Sequence, residues 1–494
     1  MAIGIPMKTL STLMFTNSYS DLPASLSTQV TPQPLDTPFL VHFNPLVAEK
    51  LELASITALD PSFIGIFSGN ATLAGLSPLA MKYCGHQFGQ YNPDLGDGRG
   101  LLLGEVLTSE GKKWDLHLKG SGKTPYSRMG DGRAVLRSSI REYLASAAME
   151  GLGIATTHAL AIIGSQTPVV REKIETAATL IRVAESHLRF GHFEYLFYTS
   201  QHAELQQLAD YVIEHHFPEL TTNDSPYAAL FEQICQRTAT MIAAWQAVGF
   251  AHGVMNTDNM SILGLTFDYG PFGFIDDYEP GYICNHSDYS GRYAFDQQPS
   301  IALWNLSALG YALTPLLDKT EIDHGLEHYQ DTLQQQYSHN MRQKLGLTIT
   351  DESDTVLFSE LFQLLKQHHV DYTLFFRTLS HITIDNLLHC DHLFSALFQC
   401  TSALKTWLTR YQQRLLLEPN DIQRLTTMLH HNPKYILRNY LAQQAIEEAE
   451  QGNYQLIDQL ITVLSHPFDE HKGAEALAQL PPNWGKHLEI SCSS

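Results

Sequence analysis

Three clusters of residues in this chain have the types and spacing for nucleotide chemistry. The first runs from a glycine-rich segment, Gly96-Asp97-Gly98-Arg99-Gly100, to Lys119 and then Glu142. The second is a glycine- and charge-rich turn, Gly130-Asp131-Gly132-Arg133. The third is His252-Gly253-Val254-Met255-Asn256-Thr257-Asp258-Asn259, closed by Asp268-Tyr269-Gly270. Asn259 and Asp268 supply hard oxygens of the kind that Mg²⁺ takes beside substrate phosphates.

Regular elements must hold these groups. In Trp114-Asp115-Leu116-His117-Leu118-Lys119 apolar and polar residues alternate strictly. That period reads as a half-buried strand with Asp115, His117 and Lys119 on the polar face. Leu136, Ile140, Tyr143, Leu144 and Ala147 recur at three- and four-residue steps, the apolar stripe of a helix. Asp131 reads as its N-cap and Gly151 as its C-cap, with Glu142 on the flank, free to face a cleft. A glycine loop, a strand lysine and a helix glutamate in this order are the parts of a protein-kinase small lobe. His252 and Asn259 keep the kinase catalytic-loop spacing, but Val254 stands where that loop has its base. Asp268-Tyr269-Gly270 reads as an Asp-Phe-Gly variant. Gly120-Ser121-Gly122-Lys123-Thr124 only mimics a P-loop. His117 occupies the position of the required first glycine, and Pro125 follows where a helix should start.

The 494 residues suffice for one large two-lobed enzyme. The formal charge of −21 argues against nucleic acid as a partner. The acid is unevenly spread: Tyr91 to Tyr195 holds 13 Lys/Arg against 12 Asp/Glu, which suits a polyphosphate pocket. Six scattered cysteines without a CxxC pair fit a reducing compartment, not a disulfide framework or a zinc site. His389-Cys390-Asp391-His392 are too close in sequence to converge on one ion and read as a solvated turn. No run is long enough for a bilayer and no targeting signal stands out, so the expected location is cytoplasmic, with no membrane partner. Residues 1–38, rich in Ser, Thr and Pro, read as an N-terminal arm. Residues 39–197 read as a mixed α/β N-lobe, including strands at Leu160-Ile163 and Thr179-Val183. Residues 198–494 read as a mostly helical C-lobe. The expected fold class is α+β, bilobal and protein-kinase-like.

These residues carry a resemblance. Tyr83-Cys84-Gly85-His86-Gln87-Phe88-Gly89, Leu118 to Pro125 and Asn256 to Phe274 make the chain similar to the selenoprotein O family from about Phe39 to the C-terminus. These are kinase-like proteins described as protein adenylyltransferases, and this chain resembles the cysteine-containing bacterial type. The resemblance implies Mg²⁺-dependent transfer of AMP from ATP, with Mn²⁺ as a substitute metal, to hydroxyls of protein substrates by a monomer. Redox and metabolic proteins are the target class considered. ATP is flipped relative to kinases. Gly96, Gly98, Arg99, Lys119, Asp131 and Gly132 then correspond to nucleotide contacts, and Glu142 to the partner of Lys119. Arg182 and Arg189 correspond to anchors of the buried terminal phosphate, where a guanidinium fork suits phosphate oxygens. Asp258 corresponds to the proton acceptor, with Asn259 and Asp268 as metal ligands and Asp268 also beside the nucleotide. Phosphoryl transfer, UMP transfer and a non-catalytic nucleotide-binding scaffold stand as alternatives. The family also implies a redox pair between Cys284, in the segment after Asp268, and Cys492 near the C-terminus.

Overall fold

A computed structural model describes residues 7–399, 401–488 and 490. Thirteen strands are found among these: β1 (Met14–Thr16), β2 (Ser27–Gln29), β3 (Phe39–Phe43), β4 (Leu79–Met81), β5 (Gly85–Gln87), β6 (Gln90–Asn92), β7 (Gly100–Leu107), β8 (Lys113–Lys119), β9 (Ala134–Val135), β10 (His158–Val170), β11 (Ile174–Ala184), β12 (Phe250–Ala251) and β13 (Gly273–Phe274). Nine of them form one antiparallel sheet in the order β2-β4-β7-β8-β11-β10-β3, with β1 added to β7 and β9 to β11. Two small hairpins, β5–β6 and β12–β13, stand apart from it. The segment before Phe39 thus contributes two strands to the sheet and buries Leu10, Leu13, Leu26 and Leu35.

Helices α1 (Pro45–Lys50) and α2 (Pro61–Phe67) precede the long central strands. Helix α3 (Leu136–Gly151) packs across β10 and β11 through the expected stripe: Leu136, Ile140, Tyr143, Leu144 and Ala147 are all buried. Its caps differ from the expectation. Val135 occupies the N-cap and Leu152 the C-cap. The turn at Asp131 leads first into β9, so the helix starts later than a cap at Asp131 would require. Gly151 stays helical, and Gly153, at φ +74°, takes the left-handed conformation that turns the chain away from the helix.

Helical structure dominates the rest. It comprises α4 (Phe190–Tyr198), α5 (His202–His216), α6 (Pro226–Val248), α7 (Gln298–Ala312), α8 (Lys319–Lys344) and further helices between Asp354 and Ser465. The polar face of β8 departs from the expectation too. Asp115, His117 and Lys119 are buried like Leu116 and Leu118, because apolar residues of the sheet cover one side and a charged cleft the other. Among the described residues no helix is long and apolar enough to cross a membrane.

Candidate active site

The cleft has a volume of about 480 Å³. Its walls are the glycine run 96–100, the turn 130–133, the polar face of β8 and the loops carrying Val254, Asp258, Asn259 and Asp268. Gly96 and Gly98 lie in this lining. Gly100 admits the His117 ring, which would stand 2.4 Å from an added Cβ. Gly132, at φ +72°, lies so close to Gly122 that an added Cβ would be 2.1 Å from the carbonyl oxygen. Only glycine fits there, and the two loops are locked together. Asp131 serves that lock: it accepts from the Arg133 backbone N–H at 2.9 Å and from both terminal nitrogens of Arg171 at 2.7 and 3.0 Å.

Antiparallel pairing sets Arg182 of β11 opposite His117 of β8, so both share one face with Lys119. Glu142 reaches this face from α3. It is buried rather than open to the cleft, and it accepts from Lys119 Nζ with one oxygen and from Arg182 Nε with the other. A terminal nitrogen of Arg182 continues to Asp268 Oδ1 at 2.7 Å, and the other Asp268 oxygen meets Arg189. Arg189 precedes α4, donates to the Asp258 carbonyl at 2.7 Å, and lies between the rings of Tyr83 and Phe267 at 4.6 Å each. The result is one chain of alternating charge, Lys119–Glu142–Arg182–Asp268–Arg189. Asp268 holds φ +58°, an uncommon conformation that concentrates at functional sites.

The charges perturb one another. Burial would raise both Asp268 and Glu142, but the adjoining cations outweigh it. Arg189 and Arg182 hold Asp268 well below the usual carboxylate range, and Arg182 and Lys119 hold Glu142 low. Burial pushes Lys119 down to about 8 against the pull of Glu142. Arg99 is lowered by burial and then by the like charge of Arg182. Arg99, Lys119, Arg182 and Arg189 thus face the carboxylates of Glu142 and Asp268, an excess of two positive charges. Among the described residues Arg189 Nε, a donor, is buried without a hydrogen-bond partner. Such an unmet donor beside surplus cations fits a phosphate oxygen.

Asp258 and Asn259 sit in a short 3₁₀ turn. Asp258 accepts from Gln87 Nε2 at 3.3 Å through one oxygen, while the other is buried and without a partner among the described residues. Burial lifts its carboxyl to about 7, against the pull of Arg189. Asn259 donates its amide nitrogen to the Val254 carbonyl at 3.0 Å, which leaves its side-chain oxygen as the end suited to a cation. His252 is structural: its ring stacks on Trp245 at 5.4 Å and bonds the Phe267 carbonyl at 2.9 Å.

This geometry brings in three residues to which the sequence pattern assigns no chemical role. Asp97, between the loop glycines, accepts from His117 Nε2 at 3.0 Å and from Tyr83 at 3.2 Å, tying the glycine run to β8. The alternation of β8 puts His117 on the face of Lys119, and that was its signal. Gln87 had none, because its partner lies 171 residues away. Of the expected redox pair, Cys284 is buried and donates to the Ala251 carbonyl at 3.5 Å, and Cys492 lies outside the described residues. The chain end does approach this segment: His286 N–H donates to the Ile490 carbonyl at 3.4 Å.

The family model described as "Protein adenylyltransferase SelO" matches residues 9–465. A protein of Photobacterium profundum named "Protein nucleotidyltransferase YdiU" is 64% identical over 514 residues, covering 99% of this chain and 100% of the relative. Proteins of the same name from Vibrio vulnificus and Aliivibrio salmonicida are each 56% identical, with the same coverage. A match over nearly the whole chain, at this identity and with these names, makes the chain a nucleotidyltransferase that belongs to the SelO family of protein adenylyltransferases.

Proposed function

We propose that this enzyme transfers AMP from ATP to Ser, Thr or Tyr hydroxyls of other proteins, on a two-lobed kinase-like fold with ATP reversed relative to kinases. The observation that carries the reading is the buried pair Arg182 and Arg189, joined through Asp268 and only 4% and 2% exposed. Two guanidinium groups at that depth suit the terminal phosphate, and anchoring that end presents the α-phosphate to the acceptor. Val254, apolar at the kinase base position, speaks against ordinary phosphoryl transfer.

In this mechanism Lys119, Arg182 and Arg189 bind phosphate oxygens, and the loops at Gly96–Arg99 and Asp131–Gly132 close over the nucleotide. Asn259 and Asp268 would hold Mg²⁺, which supplies neutralisation of phosphate charge as pyrophosphate leaves. The acceptor hydroxyl oxygen bonds to the α-phosphorus, the bond from that phosphorus to the β-phosphate oxygen breaks, and the hydroxyl proton passes to Asp258. Mn²⁺ as a substitute metal, redox or metabolic proteins as targets, a monomeric state and a cytoplasmic location belong to the same reading.

ATP labelled at the α- or the γ-phosphate tests it. The α-label is expected to become covalently attached to protein. Transfer of γ-label alone would restore the kinase reading, and binding without transfer would make the protein a scaffold. UMP transfer is the second reading, since the relatives' printed name specifies no base; UTP labelled at the α-phosphate decides it. A disulfide between Cys284 and Cys492, tying the tail to the segment after Asp268, is a further part of the proposal. Thiol labelling with and without reductant, and the activity of Cys492→Ser, test it; thiols that stay reactive under mild oxidant would remove the switch.

A further inference from the structure

Strand β5 and the turn after it belong to the motif Tyr83 to Gly89, which the nucleotide chemistry leaves unused apart from Tyr83 and Gln87. They are fastened to the catalytic turn at several points. His86 N–H donates to Thr257 Oγ1 at 2.7 Å, and its ring meets Glu194 at 2.6 Å, whose other oxygen accepts from Thr257 at 2.5 Å. Phe88 N–H donates to Tyr293 Oη at 2.9 Å, and that hydroxyl donates to Asn256 at 2.6 Å. Asn256 and Thr257 are the residues just before Asp258.

Phe88, at the tip, has φ +50° and is 41% exposed. A bulky residue held in left-handed backbone with its ring in solvent costs stability twice, a combination that points to function. Nor is it isolated. Its ring meets Tyr293 at 5.0 Å, Arg292 beside Tyr293 lies over Trp304 at 4.8 Å, and Trp304 meets His86 at 5.3 Å. Tyr198 and, through Phe197, Tyr311 extend the same surface. Trp304 and Tyr311 are about two helical turns apart on α7 and so share a face. Exposures of 36% for Trp304, 40% for Tyr198 and 57% for Tyr311 make this an exposed aromatic surface with an arginine in it, the composition of a protein-binding hot spot.

We propose that this aromatic wall, from Phe88 through Arg292 and Trp304 to Tyr198 and Tyr311, is the docking surface for the acceptor protein, which seats apolar side chains on it while presenting a hydroxyl to Asp258. The occupant follows from continuity: the wall begins at the residue after Gln87, the side chain bonded to the Asp258 carboxylate. The inference rests on the transfer reading above.

The test compares wild type with Tyr311→Glu/Trp304→Ala, and with Ile422→Glu as a control at an exposed apolar site remote in sequence from the wall. Each protein is given α-labelled ATP and a bacterial soluble-protein extract as acceptor mixture, and ATP binding is followed by the ligand-dependent rise in Tm. The double variant should lose roughly tenfold or more of total label transfer at limiting acceptor, with ATP binding unchanged and the loss diminished at high acceptor concentration. The control should transfer normally. Unchanged transfer in the double variant would overturn the proposal. So would a parallel loss of ATP binding, or a wild-type dimer that the substitutions dissociate, since the wall would then serve the fold or self-association. Absence of α-label transfer by the wild type would instead sink the transfer reading, and the docking surface with it.

Discussion

Lys119 and Lys344 are both buried, 4% and 3% exposed, and their surroundings are opposite. Lys119 ends β8 in a chain of alternating charge, where burial lowers it to about 8 and Glu142 resists. Lys344 ends α8 in the core of the helical region. Burial lowers it to about 7, and it rests on the rings of Phe376 and Tyr372 at 4.4 and 5.3 Å. Among the described residues no carboxylate is paired with it. The first site keeps cations charged and ready for a second anion. The second offers only ring faces, which compensate an ammonium weakly. Burial of a cation serves function only where an adjoining carboxylate holds the charge until a substrate arrives.

The largest break in that comparison is Asp268→Ala. It removes the carboxylate shared by Arg182 and Arg189 and the one carboxylate assigned to Mg²⁺, so transfer of α-label should vanish. Retention of even a tenth of the wild-type rate would show that metal and phosphates are held elsewhere. Asp258→Ala should leave ATP binding intact and slow transfer by about 10²–10⁴, the usual contribution of a general base. A single-turnover assay with α-labelled ATP reads this, and full activity would remove Asp258 from the proton step.

Glu142→Gln keeps the shape of the side chain but leaves Lys119 and Arg182 buried with less compensation. A loss of about 3–5 kcal/mol in chemical denaturation is expected without nucleotide. ATP with Mg²⁺ should recover part of it, since a ligand that binds only the folded state stabilises it. No recovery would mean that the cations serve the fold and not the substrate.

Lys344→Met should act in the opposite direction and raise stability by about 1–3 kcal/mol at pH 7, because an apolar side chain of similar length removes a poorly compensated charge. The sign with pH follows from the lowered value. Between about 7 and the unfolded value near 10.5 the unfolded chain binds this proton more readily than the folded one. Wild-type stability from this group therefore rises with pH across that window, and the advantage of Lys344→Met shrinks towards about pH 10. Denaturation at about pH 7 and about pH 9.5 reads this; an advantage that grows with pH would contradict the burial argument.

Much of this site was legible in the chain because its signals are local. The two-residue period of β8 named the face of Lys119, the helical period of α3 put Glu142 on the flank of its stripe, and the spacing from His252 named Asn259 and Asp268, whereas Asp258 came only from the family resemblance. The expected N-cap failed for an equally local reason: the two residues of β9 intervene between the turn at Asp131 and the helix, and so short a strand leaves no periodic trace.

What the sequence by itself determined is therefore the identity and order of the charged groups and the family to which they belong. Only the tertiary structure decided who pairs with whom. Arg182 meets Glu142 across 40 residues, Arg189 meets Asp268 across 79, and His86 is bound to Thr257 across 171. Periodicity extends no further than the element that carries it. Contacts between elements arise only when burial of apolar surface brings β8, α3 and the catalytic turn to one place, and the charges trapped there must then neutralise one another or meet a substrate.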